Sequence, residues 1–187
     1  MSKAVLISIR PKWCEKIASG EKTVEVRKTR PKLDTPFKCY IYCTSGKPDL
    51  NIPISPERLM QDYLDTGSMQ SLNCPLGNGK VIGEFTCDRI TNLFANSRFW
   101  MAEDDIIRTC LSADEIRKYA NGADEIYGWH ISNLCIYDTP RELGTFQRVC
   151  PHDAYCENCP DWMEMECSEE TVRIKHPPQS WRYVEEL

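Results

Sequence analysis

Short apolar runs, separated by polar stretches that contain Pro or Gly, recur along the chain and predict β-strands. Two of them, residues 4–9 and 37–43, are almost continuously apolar, which is typical of strands buried on both faces. The predicted strands are residues 4–9, 23–28, 37–43, 81–88, 127–136 and 181–184. Six short strands with few helices predict an α+β fold built on a small, partly closed β-barrel.

The first predicted helix spans residues 11–19, directly after the first strand. Pro11 suits the first turn of a helix, and Trp13 and Ile17 are spaced to share one face. Gly20 suits the left-handed residue that ends many helices. The pattern therefore predicts a tight helix-to-strand junction at residues 20–23.

Two further helices are predicted between the strands. One begins at Pro56, inside an insertion over residues 45–79. The other begins at a capping box formed by Ser112 and Glu115 and ends at Gly122. The former carries Leu59, Met60, Tyr63 and Leu64 on one face. In the latter we expect Ile116 and Tyr119 to face inward.

The polar positions of the second predicted strand carry the candidate chemistry. Val24 and Val26 point to one side, toward a core, whereas Glu25 and Arg27 point to the other. With Lys22 in the preceding turn, they predict a small polar pocket able to hold a base edge, a phosphate or a polarised carbonyl. A solvated strand edge with a surface ion pair is the alternative interpretation of this spacing.

Charge is distributed unevenly in this chain of net charge −5. Residues 1–50 hold eleven Lys or Arg against five Asp or Glu, and the remainder is acidic. The basic residues around the pocket are Arg10, Lys12, Lys16, Lys22, Arg27, Lys28, Arg30 and Lys32. A local basic patch suits an anionic ligand, although scattered lysines also serve solubility. The overall acidity argues against strong non-specific binding to duplexes.

Membrane insertion and secretion are not predicted by this sequence. It has no apolar run of about 18 residues, as a membrane-spanning helix requires. The first apolar run, residues 4–9, is too short for a signal peptide and is followed at once by Arg10. We therefore expect a cytoplasmic protein.

Eleven cysteines are many for such a chain, and they fall into two groups. Seven are dispersed, and we expect them to be small buried hydrophobic residues. These are Cys14, Cys39, Cys43, Cys74, Cys87, Cys110 and Cys135. The other four are clustered within eighteen residues, as Cys150, Cys156, Cys159 and Cys167.

The clustered cysteines lie in a segment with seven acidic residues and no Lys or Arg between positions 150 and 170. Few apolar residues remain there to form a core, so a structural zinc bound by four thiolates is predicted to hold the segment together. His152 could replace one cysteine. A disordered loop with spare thiols, a redox dithiol and an acidic surface for a protein partner are the alternatives.

Several motifs together resemble the ASCH domain, a branch of the PUA-like superfamily. The first comprises Gly20, Lys22, Glu25 and Arg27, and the others are residues 80–85, 127–131 and 177–181. The chain is similar to uncharacterised ASCH proteins of bacteria and phages over residues 3–45, 79–91, 125–139 and 177–187. The resemblance implies a PUA-like barrel at residues 1–149 and 177–187, interrupted by a Cys-rich insertion at 150–176.

The resemblance also implies a function. PUA-like and ASCH domains have a cleft between the first helix and the barrel and are linked to recognition of RNA or modified nucleotides. In this chain Lys22, Glu25 and Arg27 would line the cleft, with Thr23 beside them and Trp13 as the aromatic that stacks on a base. A single-stranded or flipped nucleotide is the expected ligand, because so small a pocket cannot read a duplex groove.

An enzyme is the alternative that the resemblance offers. Some small bacterial ASCH proteins are amidohydrolases that act on acetylated cytidine, with a lysine, a threonine and a glutamate. Lys22 matches the lysine, but Glu25 occupies the threonine position, where it could serve as a general base on water. The distant glutamate would be Glu103 or Glu115.

Other residues of the matched motifs have structural interpretations. His130 lies on a predicted strand, where a lone histidine is usually a hydrogen-bonded structural group. Trp129 and Trp181 are expected in the core, because large aromatics dominate small cores.

Overall fold

The computed structural model describes residues 2–52, 56–67, 76–95, 98–99, 103–149 and 172–187. The clustered cysteines at 150, 156, 159 and 167, together with His152 and Cys74, lie outside the described residues. The structural zinc and the Cys-rich insertion therefore stay predictions.

Seven strands form one mixed sheet. They are β1 (Lys3–Ile9), β2 (Val24–Arg27), β3 (Phe37–Cys43), β4 (Val81–Ala95), β5 (Arg98–Phe99), β6 (Glu125–Arg141) and β7 (Trp181–Glu185). The strand order is β2-β6-β4-β3-β1-β7, and β5 pairs with β4. β1 and β3 are parallel, whereas the other pairings are antiparallel.

The helices connect these strands without joining the sheet. They are α1 (Pro11–Ala18), α2 (Pro56–Thr66), α3 (Glu103–Arg108) and α4 (Ala113–Ala120), and a 3₁₀ turn spans Leu143–Thr145. α4 begins with the predicted capping box, because Ser112 and Glu115 each accept from the other's backbone N–H. It ends at Asn121, which has left-handed backbone angles.

The predicted barrel closure is not shown by the described strands, whose hydrogen-bonded order runs from β2 to β7 as an open path. The two ends nevertheless approach each other through side chains. Trp181 Nε1 donates to Thr29 Oγ1 at 2.9 Å, and the backbone N–H of Lys32 donates to the Tyr183 hydroxyl at 2.7 Å. The described α+β fold therefore has an open sheet, in which the segment after β2 contacts β7.

The two near-continuous apolar strands are buried on both faces, as predicted. Six of the seven residues of β1 are buried, and so are six of the seven in β3. One face contributes Val5 and Ile7 to the main core, and the other contributes Ala4 and Leu6 to a second core beside Phe146. Ile174, at the described end of the predicted insertion, joins this second core and bonds through its N–H to Phe146 O at 2.9 Å.

β4 and β6 are much longer than predicted. They pair along most of their length, with register shifts at several points that break the alternation expected of a regular strand. Gly83 lies at one such shift, and a Cβ atom there would be 2.4 Å from the carbonyl oxygen of Cys135. Only glycine therefore fits this close approach of the two backbones.

β2 has two buried faces. Val26 packs with Ile116 and Ala120 of α4, so the predicted apolar side is correct. Glu25 lies opposite Trp129 of β6 in the antiparallel register, and Trp129 is fully buried in the main core. The polar side of β2 thus faces the interior rather than solvent.

Some apolar positions are more exposed than their patterns predicted. The α2 face is exposed at Leu59, Met60, Tyr63 and Leu64. Among the dispersed cysteines Cys14, Cys39, Cys43 and Cys87 are buried, whereas Cys110 is partly buried and Cys135 is exposed. In α4 Ile116 is buried as predicted, but Tyr119 is 39% exposed. The predictions that Tyr119 faces inward and that Cys135 is buried are therefore wrong. Cys135 lies on the outer face of β6, next to a register shift.

Candidate functional site

A pocket of about 410 Å³ lies between α1, β2, the end of β1 and α4. Arg10 and Trp13 line it from the start of α1, and Glu25 and Arg27 line it from β2. Tyr119 of α4 lines the opposite wall. The pocket thus lies beside the first helix, where the sequence predicted a cleft.

Three charged side chains meet at the base of the pocket. Glu25 Oε1 lies 3.0 Å from Arg27 Nη2, and Glu25 Oε2 lies 3.3 Å from Lys22 Nζ. Their side chains are only 2–10% exposed. The alternative of a solvated surface ion pair is therefore wrong. Two cations against one carboxylate give the base of the pocket a net positive charge.

Lys22 is held by more than its ion pair. Its ammonium donates to the carbonyl oxygens of Val24 at 2.8 Å and Thr109 at 2.7 Å. The same ammonium group also lies within ion-pair distance of Glu25 Oε2. Lys22 therefore fixes the carboxylate of Glu25 and joins β2 to the segment before α4.

Arg27 connects β2 to the end of β1. Its Nη2 donates to the carbonyl oxygen of Ser8 at 2.6 Å as well as contacting Glu25. The Ser8 hydroxyl in turn donates to Pro178 O at 2.6 Å, so this contact extends to the segment before β7. Arg27 Nε is buried and has no hydrogen-bond partner among the described residues. A buried donor without an acceptor is costly, so this part of the site favours an additional acceptor.

The two other predicted ligand residues differ in position. Trp13 is partly buried and lines the pocket, with Lys12 Nζ 4.8 Å and Lys22 Nζ 5.3 Å from its ring centroid. Thr23 does not line the pocket. Its backbone instead bonds to Arg108 and Ile131 on either side of the strand.

The sequence suggests Glu115 as a possible distant glutamate but does not predict that α4 and the segment before it form a wall of the pocket. Leu111, Glu115 and Tyr119 line the pocket and are spaced by four residues, which places them on one helical stripe. Hydrogen bonds from Ser112 lower the pKa of Glu115, so its carboxylate is ionised at neutral pH. The four-residue spacing was visible in the sequence, but nothing there indicated that this helix packs beside β2. The other suggested distant glutamate, at position 103, has no described side chain.

His130 lies outside the pocket and is a structural group, as predicted. It is 6% exposed, with Arg89 Nη2 3.2 Å from Nδ1 and Thr91 Oγ1 3.1 Å from Nε2. Burial, and next the positive charge of Arg89, lower the pKa of His130. The tryptophans are also structural, since Trp129 is fully buried and its ring lies 5.8 Å from that of Trp181.

Two further properties of the described part of the chain concern metal ions and membranes. No group of three or more His, Cys, Asp or Glu side chains within it is arranged to hold a metal ion. None of the helices it contains is long and apolar enough to cross a membrane.

Comparison with known proteins supports the resemblance at the level of fold. No family model matches the chain, and no curated protein matches it. The crystal structure of ASCH from Zymomonas mobilis is similar with a TM-score of 0.55 at 18% identity, covering 97% of this chain and 87% of that one. A serine-to-alanine mutant of the same protein gives a TM-score of 0.54 at 17% identity, covering 97% and 88%. The chain therefore has the fold of an ASCH domain.

Proposed function

We propose that the protein binds single-stranded RNA and takes one nucleotide, standard or modified, into the pocket beside α1. The observation that carries this proposal is the buried cluster of Lys22, Glu25 and Arg27 at the base of that pocket. Burying three ionised groups is expensive unless they are mutually paired. A cluster built at this cost beside an open pocket, with net positive charge, suits a polar ligand that carries negative charge.

The size of the pocket supports a single nucleotide. About 410 Å³ is near the lower end of the range for small-molecule sites. A duplex cannot insert a base into such a pocket without unpairing it, whereas an unpaired nucleotide can enter directly.

The rim of the pocket supports a polyanionic partner. Arg10 and Lys12 are exposed at the start of α1, and Lys28 is exposed at the end of β2, close to Tyr119. These cations are exposed, so phosphates could meet them on both sides of the pocket. They contrast with the net charge of −5 of the whole chain.

Glu25 is the group best suited to recognise the ligand at the base. Each of its oxygens makes one ion-pair contact, and a carboxylate has about four acceptor sites. It therefore retains acceptor capacity for an exocyclic amine. Arg27 Nη2 is already shared between Glu25 and Ser8 O, so in this proposal Arg27 holds the carboxylate in place.

The amidohydrolase alternative stays a prediction, and no contact among the described residues of the site favours it. Catalysis by Lys22 would require its buried ammonium to give up a hydrogen bond to a carbonyl oxygen or its ion pair with Glu25. Incubation with acetylated cytidine, followed by chromatography of the products, tests it directly. We expect no release of acetate.

Binding is tested with a fluorescently labelled six-nucleotide single-stranded RNA and its duplex, by anisotropy at several salt concentrations. We expect the single strand to bind and the duplex to bind much more weakly. The double variant Arg10→Ala/Lys12→Ala should weaken binding and reduce the slope of log K against log salt by about 0.7 per lost phosphate contact. Lys47→Ala removes an exposed lysine outside the pocket and is the matched control. Equal affinity for the duplex, or equal loss in both variants, would contradict the proposal.

A further inference from the structure

The α4 wall presents an aromatic ring to the pocket. Tyr119 lies one turn beyond Glu115, and both side chains line the same cavity. The capping box holds the start of this helix, because Ser112 N donates to Glu115 Oε2 at 2.8 Å. Ile116 and Ala120 on the adjacent face are packed against β2. The position of Tyr119 is thus fixed by a capped and packed helix.

The ring of Trp13 is already occupied by cations. Lys12 Nζ lies 4.8 Å and Lys22 Nζ lies 5.3 Å from its centroid. Lys22 is 2% exposed and hydrogen-bonded to two carbonyl oxygens, so it cannot leave the ring. Lys12 is exposed and could swing away, whereas the buried Lys22 would stay beside the ring. A base that stacks on Trp13 would therefore share the ring with a buried ammonium group.

Tyr119 is more available. It is 39% exposed, and the cation near its ring is Lys28 Nζ, at 5.4 Å. Lys28 is itself exposed and can swing away at little cost. Stacking of a base on an aromatic ring is stronger than an exposed contact between a lysine and a ring. The displaced ammonium of Lys28 would remain near the pocket rim, where a phosphate could meet it.

We propose that Tyr119, rather than Trp13, is the stacking platform of the pocket and makes binding depend on a planar base. This inference rests on the proposed function. It makes α4 the element that favours polyanions with bases over polyanions without them. Ligands that carry the same phosphates without a ring would gain nothing from Tyr119. The pocket would accept any base on this wall, because every base has a face that can stack.

The test uses two probes, a labelled six-nucleotide single-stranded RNA and an abasic ribose-phosphate oligomer of the same length. Dissociation constants are measured by anisotropy for the wild type, Tyr119→Ala and Tyr119→Phe. Tyr63→Ala removes an equally exposed tyrosine from α2, outside the pocket, and is the matched control. Circular dichroism of each variant verifies that α4 still forms.

We expect Tyr119→Ala to weaken RNA binding about 5- to 150-fold, with Tyr119→Phe and Tyr63→Ala close to the wild type. Binding of the abasic oligomer should be the same in all four proteins. If the wild type binds RNA and Tyr119→Ala binds it equally well, the inference is overturned while the proposed function stands. If the wild type binds neither probe, the proposed function fails and the inference fails with it.

Discussion

Glu25 and Trp129 lie directly opposite each other on β2 and β6, so the Glu25 side chain is on the face of the sheet that carries Trp129 of the main core. It lies 3.0 Å from Arg27 Nη2 and 3.3 Å from Lys22 Nζ. Side chains opposite each other in an antiparallel pair share a face of the sheet. The site is therefore part of the core of the fold, and changes to it have consequences for stability as well as for binding.

Replacing Arg27 with alanine should destabilise the protein by about 3–5 kcal/mol, because it leaves the buried Glu25 carboxylate with one cation instead of two. Urea denaturation followed by circular dichroism measures the change. Lys47→Ala breaks an exposed ion pair with Asp49 and should cost less than about 1 kcal/mol. A similar loss of stability in Arg27→Ala and Lys47→Ala would show that the ion pair between Glu25 and Arg27 is solvated.

Gly83→Ala should cost about 3 kcal/mol or more, because the new methyl group would lie 2.4 Å from the carbonyl oxygen of Cys135. A backbone oxygen in a paired strand cannot move aside as a flexible side chain can. Gly144→Ala is the matched control, since a Cβ there has no atom within 4 Å. Thermal denaturation of both variants tests the register shift, and an unchanged melting temperature for Gly83→Ala would be inconsistent with it.

Ser112→Ala should destabilise the protein by about 1 kcal/mol through loss of the α4 cap. The Ser112 hydroxyl accepts from Glu115 N at 3.2 Å, and no other serine in the described segments caps α4. Ser45→Ala, at an exposed loop position, should change stability by less than about 0.5 kcal/mol. Chemical denaturation distinguishes the two, and the cap has no energetic role if both variants match the wild type.

Stability should decrease as the pH falls below about 6.5, the ordinary pKa of histidine, because the folded state lowers the pKa of His130. Between the folded and unfolded pKa values the unfolded chain binds more protons, so acid favours unfolding. Burial and Arg89 are the largest causes, and Asp105 and Asp88 act weakly in the opposite direction.

The free energy of unfolding, measured by urea titration from pH 5 to pH 7.5, tests this dependence. His130→Gln should flatten the profile in this range. His176→Gln removes an exposed histidine and should leave the profile unchanged. Equal profiles for the wild type and His130→Gln would mean that another group causes the pH dependence.

The strands of the core could be predicted because their apolar runs are long enough to require burial. The bounds of β1 and β3 coincide closely with the apolar runs that predicted these strands. The lengths of β4 and β6 could not be predicted in the same way. Register shifts and polar residues such as Arg89 and Thr91 break their alternation, and the pairing is maintained by backbone hydrogen bonds that leave no sequence pattern.

Part of the site was predictable from the alternation of side chains along a strand. Alternation on β2 placed Glu25 and Arg27 on the same side, which is correct. It gave no information on what covers that side, because burial depends on α1 and on residues far along the chain. The α4 wall with Tyr119 was missed because its contact with β2 is a tertiary event.

The hydrogen bond between Lys22 Nζ and Thr109 O has a consequence for engineering this scaffold. A single ammonium group connects the pocket base on β2 to the loop that leads into α4, and Thr23 N reinforces the connection at Arg108 O. A designer could exchange α4 for another helix to change ligand preference. The graft would succeed only if the loop before the helix kept the backbone path that places the Thr109 carbonyl oxygen beside that lysine.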